Sequence, residues 1–220
     1  MAQGTVQDDG LPGFSGMKTK EELGILVLDG SGSMGEVGLS GQSKGLEVQT
    51  AVRELVCRIQ AGRKKNQIEL AIVSFCNLVN KDRLPPTPVL NCDPTGNYNP
   101  LDGHGGATAI GDALATAHQV AEAYLAQQNQ YPRSVVIVLM TDGQQCHGSD
   151  PRQVAQQIKA NNRIKIATCA FGKDADDSLM KELATSLDLY LHAYNVEQLR
   201  NFFIASLSKV DTKAPTAASV

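Results

Sequence analysis

Short, wholly apolar runs alternate along the chain with longer segments whose apolar residues recur every three or four positions. The first run, Ile25-Leu-Val-Leu28, is bounded by polar residues and has the length and composition of a strand buried on both faces of a parallel sheet. Ile68 to Phe75, residues 133–140 and Arg163 to Ala170 have the same character. The run 133–140 is the most apolar and is predicted to be central, and Leu189-Tyr190-Leu191 is read as a short sixth strand.

Helical periodicity fills the intervals. From Leu46 to Ala61, residues Val48, Val52, Leu55, Val56 and Ile59 fall on one stripe. From Thr108 onward, Ile110, Ala113, Leu114, Ala117, Ala121 and Tyr124 do the same. Asp150 before Pro151 has the form of an N-cap with proline at the first helical position. A helix over Asp176 to Ser186 is expected to pack through Leu179, Leu183 and Leu187. A last helix, capped by Asn195 with Gln198 three residues on, carries Leu199, Phe203 and Leu207 on its inner stripe. Prolines 85, 86 and 88 place residues 84–90 on a sheet edge, where a missing N–H is tolerated; Pro85 and Pro88 also fit a minimal PxxP ligand. The alternation predicts an α/β fold: a Rossmann-like, doubly wound, mostly parallel six-stranded sheet flanked by helices.

The ends break the pattern. Residues 1–21 offer few apolar side chains besides Leu11 and Phe14 and are read as a flexible arm. Residues 22–210 form one globular domain and 211–220 a flexible tail. A formal charge of −3 and one small basic cluster, Arg63-Lys64-Lys65, which reads as a solvated turn, argue against nucleic acid as a partner. The first twenty residues lack an apolar core and no run is long enough to span a bilayer, so no membrane association is expected. Five cysteines (57, 76, 92, 146 and 169), an odd number without a Cys-x-x-Cys pair, suit reduced thiols in a cytoplasmic protein.

Candidate chemistry is concentrated where the first strand ends. Asp29, Ser31 and Ser33 stand at alternate positions, spaced by Gly30 and Gly32, which allow a tight turn. One carboxylate and two hydroxyls are hard donors that suit Mg²⁺ or Mn²⁺ better than zinc or copper. The carboxyl ends of parallel strands are also where open α/β sheets bind ligands.

Asp29-x-Ser31-x-Ser33 resembles the metal-ion-dependent adhesion site of von Willebrand factor A-type (vWA) domains. The family's two further residues have counterparts. Thr108 lies in Gly105-Gly-Ala-Thr-Ala-Ile-Gly-Asp-Ala-Leu114, and Asp142 follows the strand 134–140 in Thr141-Asp142-Gly143. The resemblance covers residues 23–209. It implies a vWA fold, a metal site of Asp29, Ser31, Ser33, Thr108 and Asp142, and Mg²⁺ as cofactor with Mn²⁺ or Ca²⁺ as alternatives. It further implies a protein partner whose Asp or Glu completes the ion, and a chain that is monomeric on its own. Residues 165–172, Leu179-Met-Lys-Glu-Leu183 and Asn201-Phe-Phe-Ile-Ala-Ser-Leu-Ser208 are similar to intracellular bacterial vWA proteins of tellurite-resistance and stress-response systems. An adaptor subunit of an AAA+ ATPase is the alternative role.

Enzymatic readings have less to stand on. Gly30-Ser-Gly32-Ser-Met-Gly35 fits the dinucleotide pattern G-x-G-x-x-G. Asp29, however, would set an anion beside a pyrophosphate, and the second strand ends in Phe75-Cys-Asn77 without an acid. A phosphotransferase of the Asp-x-Asp kind would need an acid where Ser31 stands, and neither G-x-S-x-G nor His-Glu-x-x-His occurs. Asp112 is assigned to the helix dipole and His118 to a boundary position. Met34 and Leu39 are either partner contacts or packing under the loop. Cys76, Cys92, His104, Cys146 and His147 fall in loops near the same edge and admit a second, softer site, against which their irregular spacing argues.

Overall fold

The computed structural model describes residues 20–208. Almost all of the expected arm and tail therefore lies outside the described residues, but Glu21 does not. It opens β1 and receives the Arg133 guanidinium at 3.1 Å, so the folded domain begins one residue earlier than expected.

Six strands form one sheet in the order β3-β2-β1-β4-β5-β6. They are β1 (Glu21–Asp29), β2 (Ile68–Phe75), β3 (Val79–Pro88), β4 (Arg133–Thr141), β5 (Ile164–Phe171) and β6 (Tyr190–Ala193). All neighbours are parallel except β3, which runs antiparallel to β2 with two register shifts and carries the prolines on the sheet's edge. The helices are α1 (Lys44–Gln60), α2 (Ile110–Ala126), α3 (Pro151–Lys159), α4 (Asp177–Leu183) and α5 (Val196–Ser208).

Alternate residues of each strand feed two cores. Leu23, Ile25 and Val27 of β1 pack with Ile110, Leu114 and Tyr124 of α2 and with Ile158 of α3. Leu26 and Leu28 face Val52 and Leu55 of α1 and Leu199 and Phe203 of α5. Both faces are covered, which is why these strands read as unbroken apolar runs. Gly24 belongs to this packing: a methyl group there would stand 2.6 Å from Leu207 Cδ2, so its absence lets α5 approach the sheet.

Several boundaries differ from expectation: β1 starts at Glu21, before the apolar run at Ile25, α2 starts at Ile110 and not at Thr108, and β6 covers Tyr190–Ala193 and not 189–191. The helix predicted over 176–186 stops at Leu183, because Thr185 turns to bond Ile166, its N–H to the carbonyl at 2.9 Å and its Oγ1 to the N–H at 2.8 Å. Leu187 consequently lies exposed in a 3₁₀ turn and takes no part in the stripe. The edge strand is longer than residues 84–90 and ends at Pro88; its outer positions are exposed, so no apolar pattern marked its start. Helix α1 begins at Lys44, two residues early, with Ser43 as N-cap.

Because β1 connects through α1 to β2 on one side, and β4 through α3 to β5 on the other, the carboxyl ends of β1 and β4 flank the switch point of the sheet. Open α/β sheets bind their ligands at such a point.

Candidate metal centre

Three loops meet at that end of the sheet. After β1 the chain makes a 3₁₀ turn, Gly32–Gly35, and then a loop that delays α1 until Lys44. The glycine pattern thus does not open a helix directly, as a dinucleotide fingerprint would. Gly30 lies under the 100–104 segment so closely that a methyl group would overlap the Pro100 carbonyl oxygen. Gly32 N–H donates to Gly106 O at 3.2 Å, joining the first loop to the one that carries Thr108.

Asp29 is fully buried at the end of β1. It accepts the Ser31 N–H at 2.7 Å on Oδ1 and the Thr141 hydroxyl on Oδ2. Ser31 Oγ lies 3.1 Å from Ser33 Oγ, and Ser33 Oγ donates to Asp142 Oδ1 at 2.7 Å. Asp142, also buried, accepts Lys44 Nζ on its other oxygen at 2.7 Å, and the same ammonium reaches Glu36 Oε2 at 3.0 Å. Asp29, Ser31, Ser33 and Asp142 are therefore linked in one connected hydrogen-bond system. Thr108 is buried beside it. A methyl at Gly143, the residue after Asp142, would lie 3.3 Å from Thr108 Oγ1.

The threonine loop is held by polar clamps. Thr108 N–H donates to Cys146 Sγ at 3.2 Å, and its carbonyl accepts from the N–H groups of Cys146 and His147. Gln145 Oε1 accepts the Ile110 N–H at 2.6 Å, capping α2 in place of a side chain at Ala109. Asp112, in the first turn of α2, accepts the Ser149 N–H at 3.0 Å, and the hydrogen bonds from Ser149 lower its pKa.

Burial dominates the charge balance. It raises the Asp29 pKa to about 6, against hydrogen bonds from Thr141 and Ser31 that oppose the shift and with the charge of Asp142 adding to it. For Lys44, burial alone would lower the pKa. Hydrogen bonds and attraction from Asp142 and Glu36 outweigh it and hold the ammonium above its ordinary value.

Among the described residues no group of three or more His, Cys, Asp or Glu side chains could hold a metal. The donors that do converge are two carboxylates with neutral hydroxyls, all hard oxygens. Such a set fits a small divalent cation and offers nothing to a soft one. The five residues considered for a second site do not meet. Cys76 pairs with His104, Sγ to Nδ1 at 3.2 Å; Cys146 sits against Thr108; Cys92 is buried in the α1 and α5 core.

Lys44, Thr141 and Gln145 had not been identified from the sequence. Lys44 carried a signal: a lysine in the first turn of a helix opposes the helix dipole and needs a nearby anion.

A family model, the von Willebrand factor type A domain, matches residues 25–209. The chain belongs to this family. Its vWA fold is shared by solved structures at low sequence identity. One is proximal thread matrix protein 1 of the mussel byssus, with a zinc-occupied MIDAS motif (TM-score 0.61, 18% identity, 87% of this chain and 48% of that one). Others are the pilus adhesin SpaC of Lactobacillus rhamnosus GG (0.68, 15%, 86% and 30%) and a von Willebrand factor type A structure from Catenulispora acidiphila (0.65, 16%, 86% and 43%). The chain spans less than half the length of the first of these structures it matches. Comparison with curated proteins finds no match. vWA domains are commonly metal-dependent protein-interaction modules that hold a divalent ion. No helix among the described residues is long and apolar enough to cross a membrane.

Proposed function

We propose that this vWA domain is a cytoplasmic, Mg²⁺-dependent protein-binding module whose cation is held by Asp29, Ser31, Ser33, Thr108 and Asp142. The observation that carries the reading is the connected oxygen system running from Thr141 through Asp29, Ser31 and Ser33 to Asp142, with an ammonium already set against it. A bound Mg²⁺ supplies electrophilic attraction for an incoming carboxylate. The serine and threonine hydroxyls add no charge to the donor set, leaving that attraction unspent for an Asp or Glu of a partner protein. The domain's own residues position and present; they turn nothing over.

Ser74 Oγ lies 2.9 Å from His104 Nε2 and Cys76 Sγ lies 3.2 Å from His104 Nδ1, pairings that resemble a nucleophile and its base, but Ser74 and Cys76 are both buried. Five free cysteines support the cytoplasmic assignment. The similarity of 165–172, 179–183 and 201–208 to bacterial tellurite-resistance and stress-response vWA proteins supports a scaffolding role in such a system.

Titration calorimetry with Mg²⁺, and capture of partners with Mg²⁺ against EDTA, test the reading on the wild type and Asp29→Ala. Wild type is expected to bind Mg²⁺ and retain partners only with the metal, and Asp29→Ala to lose both with its circular dichroism unchanged. Normal partner retention by Asp29→Ala in EDTA would refute the mechanism.

A further inference from the structure

The loop between β1 and α1 holds apolar side chains in water although it is firmly pinned. Val37 is 73% exposed and Leu39 72%. Around them, Val37 forms a bridge with Ser43, Gly38 N–H donates to Gln42 O at 2.7 Å, and Lys44 N–H donates to Glu36 O at 2.9 Å. Glu47, only 2% exposed, directs Oε1 to the Ser40 N–H at 2.9 Å. A buried carboxylate is a costly device for fixing a surface loop. Two aliphatic side chains kept exposed forgo the stabilisation that burial would give them. Met34, by contrast, is fully buried under the same loop, so the loop distinguishes a packing residue from two that it presents.

Val37 and Leu39 line one side of a pocket of about 240 Å³. Its other wall comes from the β5–α4 connection and the residue after β6. Phe171, at the end of β5, is buried at the base, and half-exposed Tyr194 closes the side, its neighbour His192 stacked on it at 4.2 Å. Lys44 also lines this pocket, while its Nζ touches Asp142 of the oxygen cluster. One side chain thus borders both places.

We infer that this pocket receives an apolar side chain of the same partner segment whose carboxylate approaches the cation site, so that the domain recognises an acidic residue together with a nearby Leu, Ile, Met or Phe. The inference rests on the metal-dependent reading above and names its partner's chemistry. The acidic residue answers to the cation. The apolar one answers to Val37, Leu39, Phe171 and Tyr194, which give the pocket its mainly hydrocarbon walls. An extended segment advances about 3.3 Å per residue, so the two side chains are expected within about four positions of each other.

The test is selection of displayed random peptides on the full chain in Mg²⁺, with EDTA elution, followed by affinity measurement of the best synthetic peptide. The expected outcome is enrichment of Asp or Glu with an apolar residue within about four positions. A Val37→Ser/Leu39→Ser variant should bind that peptide about tenfold or more weakly. Calorimetry with Mg²⁺ alone on the same variant reports whether the cation site persists. Enrichment of an acidic residue without an apolar companion, or undiminished binding by a variant that still takes Mg²⁺, overturns the pocket assignment and leaves the metal reading standing. Absence of any EDTA-sensitive, acid-bearing peptide overturns both.

Discussion

Lys44 gives the sharpest handle on the site. Its ammonium stands 2.7 Å from a fully buried Asp142 oxygen, and its own side chain is only 11% exposed. At an effective dielectric constant near 20, unit charges at that distance attract by about 6 kcal/mol, from which the desolvation of both groups subtracts most. Replacing Lys44 by Met leaves Asp142 buried without its counter-ion, a loss of the kind that costs about 3–5 kcal/mol. Asp142 keeps the Ser33 hydroxyl, and the contact to Glu36, 63% exposed, is worth little. The metal-free variant is therefore expected to lose about 2–4 kcal/mol, which for a domain of this size lowers Tm by about 5–15 °C.

Magnesium affinity should move the opposite way. Lys44 favours the metal-free state by neutralising Asp142 and repels a cation placed beside it. Removing it is expected to tighten Mg²⁺ binding about tenfold, equivalent to about 1.4 kcal/mol. Differential scanning calorimetry in EDTA and in excess Mg²⁺, with titration calorimetry, reads both effects. The Tm gap between wild type and Lys44→Met should narrow when Mg²⁺ is present. An unchanged metal-free Tm together with unchanged or weaker Mg²⁺ binding would refute the counter-ion argument.

Other predictions follow from burial and close approach. Burial raises the Asp29 pKa to about 6, so a proton would compete with a bound cation for it. Mg²⁺ affinity is expected to be flat above pH 7 and to fall by up to about tenfold per unit below pH 6; calorimetry showing equal affinity at pH 7.5 and 5 would contradict this. Glu22 is buried on β1 with Oε1 lacking a hydrogen-bond partner, and burial raises its pKa to about 7 against the opposing charges of Lys20 and Lys64. The cost of that shift is full above about pH 7 and declines as pH falls from 7 towards the group's ordinary value of 4.5. Glu22→Gln should thus stabilise the domain by about 1–3 kcal/mol at pH 8 and by little at pH 5, as read by urea unfolding. Gly30→Ala places a methyl group into the Pro100 carbonyl and within 3.0 Å of His104 Cβ. It is expected to cost about 1–3 kcal/mol or more and to abolish Mg²⁺ binding by shifting the loop, and wild-type affinity would count against the packing described.

The core strands were legible because each is buried on both faces and therefore continuous in its hydrophobicity. β2 was read at its observed boundaries, and β4 and β5 within about one residue. The ends of β3 and α4 were not legible, since an exposed edge strand carries no alternation and Thr185 leaves the helix for a tertiary contact with Ile166. Of the proposed donors, Asp29, Ser31 and Ser33 stand out by their local spacing and by where β1 ends, whereas Thr108 and Asp142 are singled out only through the resemblance to the family's motif. The ion pair of Lys44 with Asp142 could not, because it joins residues 98 apart, and only the awkward position of a lysine in a first helical turn hinted at it. The sequence left Leu39 open between partner contact and packing under the loop and did not single out Val37, since whether a loop buries its apolar side chains depends on the clamps around it.

The oxygen cluster draws its two carboxylates from β1 and β4, and the bonds that join them connect Ser33 to Asp142 and Thr141 to Asp29, 109 and 112 residues apart. A chain emerging from synthesis holds Asp29 early but has no grip on a cation until the fourth strand docks beside the first, a closure that is entropically slow. On the proposed function, ion uptake would certify completed topology, and a partner that reads the ion would engage only finished molecules.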